Sequence, residues 1–159
     1  MAAYQSGEQK PDIALVPHQE TASRVRVVKP ADFDTNTPQT PGMQRVAAIS
    51  HHLAGSVDLW AGVTVVAPGI ASGIHHHGAL ETIMYVVSGQ ATIRWGTQME
   101  HEAAVGPGDF IFVPPYVPHQ EINPSLDTPS EWVIVRNAQE PVVVNLAPGA
   151  GGTPALRVG

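Results

Sequence analysis

The sequence predicts an all-β domain built as a sandwich, a jelly roll or a small barrel. Glycine and proline number 15 each in 159 residues, and they are scattered between short apolar runs without a fixed period. No window longer than about ten residues carries a 3.6-residue apolar period free of glycine and proline. This pattern is typical of short strands joined by tight turns, and it disfavours helices.

The apolar runs predict about nine short strands. Alternating charge and valine at Arg24–Pro30 predicts a half-buried strand, and the proline-rich segment Pro30–Gly42 predicts a loop. The runs on either side of Ser88–Gly89 predict a hairpin. Further strands are predicted at Met43–Ser50, Val57–Gly69, Asp109–Pro115, Pro118–Asn123, Glu131–Asn137 and Pro141–Leu146.

The strands predict one domain over residues 24–146, because a chain of this length supplies one hydrophobic core. Residues 1–23 are expected to form a polar N-terminal arm. Residues 147–159 are too rich in glycine and proline to pack, so a flexible C-terminal tail is expected.

Composition excludes several functional classes. Lys and Arg number 8 against 14 Asp and Glu, and the net charge of −6 argues against nucleic-acid or anionic-membrane surfaces. The absence of cysteine excludes disulfides, cysteine zinc sites and thiol nucleophiles. The first residues lack an apolar run long enough for a signal peptide or membrane span, so a cytoplasmic protein is expected.

Three consecutive histidines, His75, His76 and His77, precede a turn at Gly78. Side chains alternate between faces in an extended chain, so His75 and His77 share one face and His76 points the other way. Imidazole is the commonest metal ligand in proteins. Surface pairs of this kind are also common, and the pair alone is weak evidence. A turn through Gly78 can bring Glu81 back beside the pair.

A second segment strengthens the metal hypothesis. His119 stands at the start of a predicted strand, directly after a turn that contains Pro114, Pro115 and Pro118. Proline fixes the backbone φ angle, so this turn is rigid enough to aim one side chain. A ligand from a distant segment is what a closed set of metal ligands needs.

These two segments resemble the paired motifs of the cupin superfamily. The first motif is matched by Gly69, His75, His77, Glu81 and Gly89. The second motif is matched by Gly108, Pro114, His119 and Asn123. The resemblance extends from about Arg45 to Arg136. The members that the chain resembles are the compact single-domain bacterial cupins with an RmlC-like barrel.

The resemblance implies a cupin-type jelly roll, also called a double-stranded β-helix. It further implies one divalent transition metal held by His75, His77, Glu81 and His119. Three nitrogens and one oxygen suit Fe, Mn, Ni, Co, Zn or Cu, and the ligand set alone does not choose among them.

The chain departs from the family pattern at two places. Tyr116 replaces the usual glycine of the turn before His119. One residue too many separates Glu81 from Gly89, and counting back from Gly89 would put Thr82 in the carboxylate position. Because threonine is a poor metal ligand, Glu81 with a one-residue bulge nearby is the preferred reading.

Three further residues are candidates for catalysis. Glu121 shares the face of His119 and could act as a general base or accept a hydrogen bond from a histidine. The alternative is an ion pair of Glu121 with Arg94 or Arg136. Tyr85 lies on the same strand as Glu81. Arg94 could hold a substrate carboxylate through two parallel hydrogen bonds.

The leading functional hypothesis is a metal-dependent cupin that acts on a small molecule, with a non-haem dioxygenase as the first reaction class. A metal-dependent isomerase, lyase or decarboxylase is the alternative within enzymes. A cupin that binds a small ligand without turnover is an alternative of another class. Exposed sheet edges need cover, so a homodimer is expected, formed through residues 24–28 or 141–145.

Overall fold

A computed structural model describes residues 24–40, 42–139 and 142–146, which form two antiparallel sheets of five strands each. The strands are β1 (Met43–Ile49), β2 (Trp60–Val66), β3 (His75–His76), β4 (Thr82–Ser88), β5 (Ala91–Trp95), β6 (His101–Val105), β7 (Phe110–Val113), β8 (His119–Ile122), β9 (Ser130–Arg136) and β10 (Val144–Asn145). A 3-10 helix (Pro30–Asp32) precedes β1, and helix α1 (His51–Ala54) follows it. The predicted N-terminal arm and C-terminal tail lie outside the described residues.

The chain passes repeatedly from one sheet to the other. The order in the first sheet is β1-β2-β9-β4-β7, and the order in the second is β10-β3-β8-β5-β6. Consecutive strands such as β4 and β5, or β7 and β8, therefore lie in opposite sheets. This topology confirms the predicted all-β fold of jelly-roll type. No helix in the described part of the chain is long and apolar enough to cross a membrane.

The predicted hairpin at Ser88–Gly89 is wrong. β4 pairs with β7 and β9, whereas β5 pairs with β6 and β8, so the chain changes sheets here. Gly89 has a φ of 80°, and a Cβ at this position would lie 2.5 Å from the carbonyl oxygen of Pro129. The sequence predicts the turn correctly, but it does not show which strands pair with the apolar segments on either side of it.

The strand predicted at Arg24–Pro30 is also wrong. Its residues up to Lys29 form no strand, and Val25 and Val27 are 93% and 71% exposed. An alternating pattern stabilises a strand only where a neighbouring strand and an apolar surface are available. The loop predicted from Pro30 is confirmed, with the short 3-10 helix inside it.

Two elements were not predicted. Helix α1 has readable end signals, because the Ser50 Oγ accepts a hydrogen bond from the Leu53 N–H and Gly55 closes the helix at a φ of 71°. At four residues, however, α1 is too short to show an apolar period. Strand β6 is exposed or half-buried throughout, so its pattern carries little signal.

Among the described residues 13 buried side chains are polar and 12 are apolar. Trp60, Trp132 and Met84 belong to the apolar cluster. Buried polar side chains are unusual in a domain core, because each must find a partner to offset its desolvation. The polar part of this interior is therefore the place to look for a functional site.

Candidate metal centre

Three histidines converge between the sheets. β3 pairs with β8 so that His75 lies opposite His119, and their ring centroids are 4.4 Å apart. His77 joins them, with ring centroids at 5.0 Å and 4.8 Å from the other two. All three side chains are buried, and one nitrogen from each lies within 4.8 Å of the others. His76 is buried outside this group and its Nδ1 accepts a hydrogen bond from the Gly78 N–H, so the predicted alternation is confirmed.

Backbone carbonyls fix the tautomer of each ring. His75 Nδ1 lies 2.8 Å from the carbonyl oxygen of Gly73. His77 Nδ1 lies 3.1 Å from that of Val142, and His119 Nδ1 lies 2.9 Å from that of Val117. A carbonyl oxygen only accepts, so each Nδ1 carries the hydrogen and each Nε2 carries a lone pair, which in His77 faces the Arg136 guanidinium at 3.4 Å. The Nε2 atoms of His75 and His119 are buried without a hydrogen-bond partner.

The three rings are neutral near pH 7. Burial lowers the pKa of His75, and it lowers the pKa of His119 to about 4. Burial also lowers the pKa of His77, and the nearby positive charge of Arg136 lowers it further. A neutral imidazole is the form that binds a metal ion.

The turn before His119 keeps the geometry of the motif although the glycine is missing. Tyr116 occupies the expected position with a φ of 61°, in the left-handed region. Its N–H donates to the carbonyl oxygen of Gly78 at 2.7 Å, which ties this turn to the turn that follows His77.

Glu121 supplies a carboxylate to this group. Its Oε1 lies 3.9 Å from the Nε2 of His75 and 3.8 Å from the Nε2 of His119. The Ser72 hydroxyl donates to Oε2 at 2.8 Å and accepts from the Glu121 N–H at 3.0 Å. The alternative ion pair with Arg94 or Arg136 is not formed within 4.0 Å.

The Glu121 carboxyl is held in its ionised form. Burial alone would raise its pKa, but the pKa is lowered, and with the histidines neutral the causes that act are the hydrogen bond from the Ser72 hydroxyl and the positive charge of Arg45. The Oε1 atom of this carboxylate faces the Nε2 atoms of His75 and His119 at 3.9 and 3.8 Å.

The structure does not bring Glu81 to the histidines, which corrects its predicted placement. Glu81 is exposed, precedes β4, and donates its N–H to the Asn137 side chain at 3.1 Å. Thr82 takes the inward position and is fully buried. A register shift does occur in β4, between Val86 and Ser88, but it lies too far along the strand to turn Glu81 inward.

Two other predicted residues also lie away from the centre. Tyr85 is on the outer face of β4, with its ring 4.8 Å from that of Phe110. Arg94 is partly exposed, and its Nε lies 3.4 Å from the Glu102 carboxylate. Neither side chain points into the space between the sheets.

Sequence reasoning missed two buried arginines, Arg45 and Arg136, which are 2% and 1% exposed. The Nη2 of Arg136 lies 3.4 Å from the Nε2 of His77. Burial and the charge of Arg45 lower the pKa of Arg136 to about 9, so Arg136 still carries its proton at pH 7. A signal was available, because both arginines stand in phase with inward-facing residues of apolar strands.

An apolar cavity of about 440 Å³ adjoins the centre and ends at His119. Its lining includes Ile93, Trp95, Val105, Ile111, Val113 and Val117. Small-molecule sites are commonly apolar clefts of this size with a few polar groups.

The residues fit a divalent transition metal. Two buried Nε2 lone pairs without partners are costly unless something fills the space between them. Three imidazole nitrogens and one carboxylate oxygen form a donor set suited to such an ion. The three predicted histidines come together, and Glu121 rather than Glu81 has a carboxylate oxygen within 4.0 Å of two of them.

Comparison with known proteins agrees with this fold. A family model described as a cupin domain matches residues 62–136. A search of curated proteins finds no significant match. The family match and the fold together support the predicted resemblance to the cupin superfamily.

The solved structures that resemble this chain belong to proteins named for different activities. The polyketide cyclase RemF from Streptomyces resistomycificus is 20% identical with a TM-score of 0.64, over 79% of this chain and 91% of that one. The Lactobacillus farciminis oxalate decarboxylase, in a formate complex, is 17% identical with a TM-score of 0.61, over 70% of this chain but only 33% of that one. The DMSP lyase DddQ from Ruegeria pomeroyi DSS-3 is 23% identical with a TM-score of 0.58, over 67% of this chain and 52% of that one. At these identities the likeness shows the fold alone.

Proposed function

We propose that this protein is a metal-dependent enzyme that acts on a small organic molecule. The observation that carries the proposal is the pair of unpartnered, buried Nε2 atoms of His75 and His119 that face the Glu121 carboxylate. His75, His77 and His119 would hold the ion, with Glu121 as its carboxylate ligand or immediate neighbour.

The geometry favours a reaction without a redox change: an isomerisation, a lyase reaction or a decarboxylation. A bound divalent ion would supply a template and a Lewis acid. Glu121 is ionised, Ser72 holds its Oε2, and its Oε1 faces the histidine centre, where it would accept a proton from a bound substrate. The Arg136 guanidinium beside His77 favours negative charge developing on a substrate.

A non-haem dioxygenase is the second candidate, and the apolar cavity favours it. Ten of the eleven residues that line the cavity are apolar, so a bound substrate would displace water from the centre. The third possibility is a cupin that binds a ligand without turnover, which would use the same residues.

Metal binding is the first test. Elemental analysis after reconstitution with Fe, Mn, Ni, Co, Zn or Cu should find about one equivalent in the wild type. His75→Ala and His119→Ala should fall below about 0.1 equivalent, because each removes one of three nitrogens. His101→Ala is the control, since His101 is exposed on β6. A wild type without metal would contradict the proposal.

The reaction class is tested by measuring consumption of a panel of small organic molecules by NMR, under nitrogen and under oxygen. Consumption under nitrogen, lost in Glu121→Gln, would support acid–base chemistry. Consumption that requires stoichiometric oxygen uptake would support the dioxygenase. Metal and ligand binding without consumption would support the binding protein.

We also propose a homodimer in which a second copy covers the outer face of the first sheet. Ile83, Val87, Phe110 and Phe112 expose between 43% and 74% of their surface, and Ile83 lies directly opposite Phe112. A contiguous apolar patch of this kind marks an interaction surface. Light scattering should find a dimer that Ile83→Asp converts to a monomer, while Leu126→Asp, at an exposed site elsewhere, leaves the dimer intact.

A further inference from the structure

We propose that Arg136, with Arg45 close by, forms a subsite for the carboxylate of an organic substrate whose apolar part occupies the adjoining cavity. The inference rests on the proposed function, because the carboxylate would lie beside the histidine centre.

Arg136 is a buried cation without an acidic partner. No carboxylate among the described residues lies within 4.0 Å of it. Its Nε and Nη1 atoms are buried without a hydrogen-bond partner, and only Nη2 has a contact, with His77. The Trp60 ring lies 5.4 Å from the guanidinium carbon, which stabilises the charge but accepts no N–H.

A buried charge needs a counter-charge and its hydrogen bonds. Arg45 does not provide them, because it is a second cation. Its Nη1 donates to the Pro38 carbonyl oxygen at 2.8 Å, and its Nη2 donates to the Thr40 hydroxyl at 3.3 Å. A bound anionic ligand would supply the hydrogen-bond partner that Arg136 lacks among the described residues.

The charge balance of the interior indicates the sign of that ligand. Among the described residues the fully charged buried groups are Arg45, Arg136 and Glu121, two positive and one negative, with the histidines neutral. A divalent ion would raise the total from +1 to +3. Such a positive interior favours an anion over a neutral molecule.

Thr82 and Arg136 do not line the cavity themselves, but they lie one and two strands away from Val113, which does. Val113 lines the cavity, Thr82 lies opposite it on β4, and Arg136 lies opposite Thr82 on β9. The Thr82 hydroxyl is also buried without a partner. A row of positions across three strands thus joins the apolar wall to two groups that can donate hydrogen bonds.

These features select a carboxylate attached to an apolar body. Adjacent N–H groups of a guanidinium match the two oxygens of a carboxylate in a bidentate contact. The cavity of about 440 Å³ is lined by eleven residues, ten of them apolar, and this composition suits an aromatic or aliphatic body. A free inorganic anion would leave that surface unfilled.

Binding of benzoate, benzamide and inorganic phosphate, measured by calorimetry on the full chain with and without metal, tests the proposal. Benzamide has nearly the shape of benzoate but no charge. The metal-free protein should bind benzoate at least tenfold more tightly than benzamide and than phosphate. Equal affinity for benzoate and benzamide would overturn the proposal, and phosphate binding as tight as benzoate would identify an inorganic anion site instead.

Three variants assign the effect. Arg136→Gln should abolish the preference for benzoate, and Arg136→Lys should weaken benzoate binding at least fivefold because it loses the bidentate contact. Arg94→Gln, at the partly exposed arginine paired with Glu102, should bind benzoate like the wild type. Wild-type binding by Arg136→Lys and Arg136→Gln would refute the role of Arg136.

Two readouts keep this proposal separate from the proposed function. Arg136→Gln should raise the thermal midpoint, because it removes an unpaired buried charge, so lost binding is not due to unfolding. Its metal content should be no lower than that of the wild type, because the variant removes a positive charge beside His77. Absent metal with intact benzoate preference would overturn the proposed function alone, and bound metal without that preference would overturn the subsite alone.

Discussion

The assignment of the carboxylate is the sharpest test of the site, because the motif spacing and the structure name different residues. Glu121→Gln keeps the shape of the side chain and removes its charge, and Glu81→Gln does the same at the exposed position. Glu121 Oε1 lies within 3.9 Å of two histidine nitrogens, whereas Glu81 is exposed and its N–H bonds to the Asn137 side chain.

The magnitude follows from the buried charges. Glu121→Gln changes the buried total of Arg45, Arg136 and Glu121 from +1 to +2 before any metal binds. Groups that support metal ligands typically contribute about 10–100-fold in metal affinity. That range corresponds to about 1.4 to 3 kcal/mol. We therefore expect Glu121→Gln to weaken metal binding at least tenfold, and Glu81→Gln to change it less than about twofold.

A competition titration against a chromophoric chelator, with Zn²⁺ or Co²⁺ at pH 7.5, measures both affinities. Circular dichroism spectra that overlay with the wild type would show that the variants are folded. A tenfold loss in Glu81→Gln with an unchanged Glu121→Gln would refute the reasoning and restore the carboxylate of the first motif.

Three further predictions concern stability. The pKa of His119 is about 4 in the folded protein against an ordinary 6.5, so the unfolded chain takes up the proton first. As the pH falls from 6.5 to 4, the free energy of unfolding of the metal-free protein should thus decrease by about 3 kcal/mol because of this residue. Urea unfolding at several pH values measures it, and the free energy of unfolding of His119→Gln should depend less on pH. Gly89→Ala should cost about 2 kcal/mol or more in urea unfolding, because its Cβ would meet the Pro129 carbonyl oxygen at 2.5 Å; an unchanged midpoint would contradict this. Tyr116→Gly should raise the free energy of unfolding by up to about 1 kcal/mol, since it relieves a φ of 61°, and a clear loss would show that the tyrosine ring matters more than the backbone.

Some of the site could be predicted from local pattern alone. His75 and His77 share a face because a strand has a period of two, and His119 follows a turn whose prolines limit its conformations. The same period predicts that Glu121 faces the direction of His119. Each of these predictions depends on neighbours within one strand or turn, where the backbone geometry is repetitive.

The prediction for Glu81 failed because it depended on a loop. The segment Gly78–Glu81 has no regular period, so counting residues along it does not show which side chain faces inward. β4 begins at Thr82, and from that residue onward the alternation of Thr82, Met84 and Val86 toward the core is regular. The side chains that face the core are therefore determined from Thr82 onward, where β4 begins to pair with its neighbouring strands.

The sequence by itself determined the all-β class, most strand positions and the three histidines, because each is encoded in short-range periodicity and turn chemistry. Only the tertiary structure decided that β4 and β5 lie in different sheets, that Glu121 is the carboxylate near the histidines, and that Arg136 lies beside His77. Periodicity specifies the face on which a side chain lies, but it does not specify which distant strand lies across the core. The charge and hydrogen-bond balance of the site depends on that second choice, since Arg45, His75, Glu121 and Arg136 meet from four different strands.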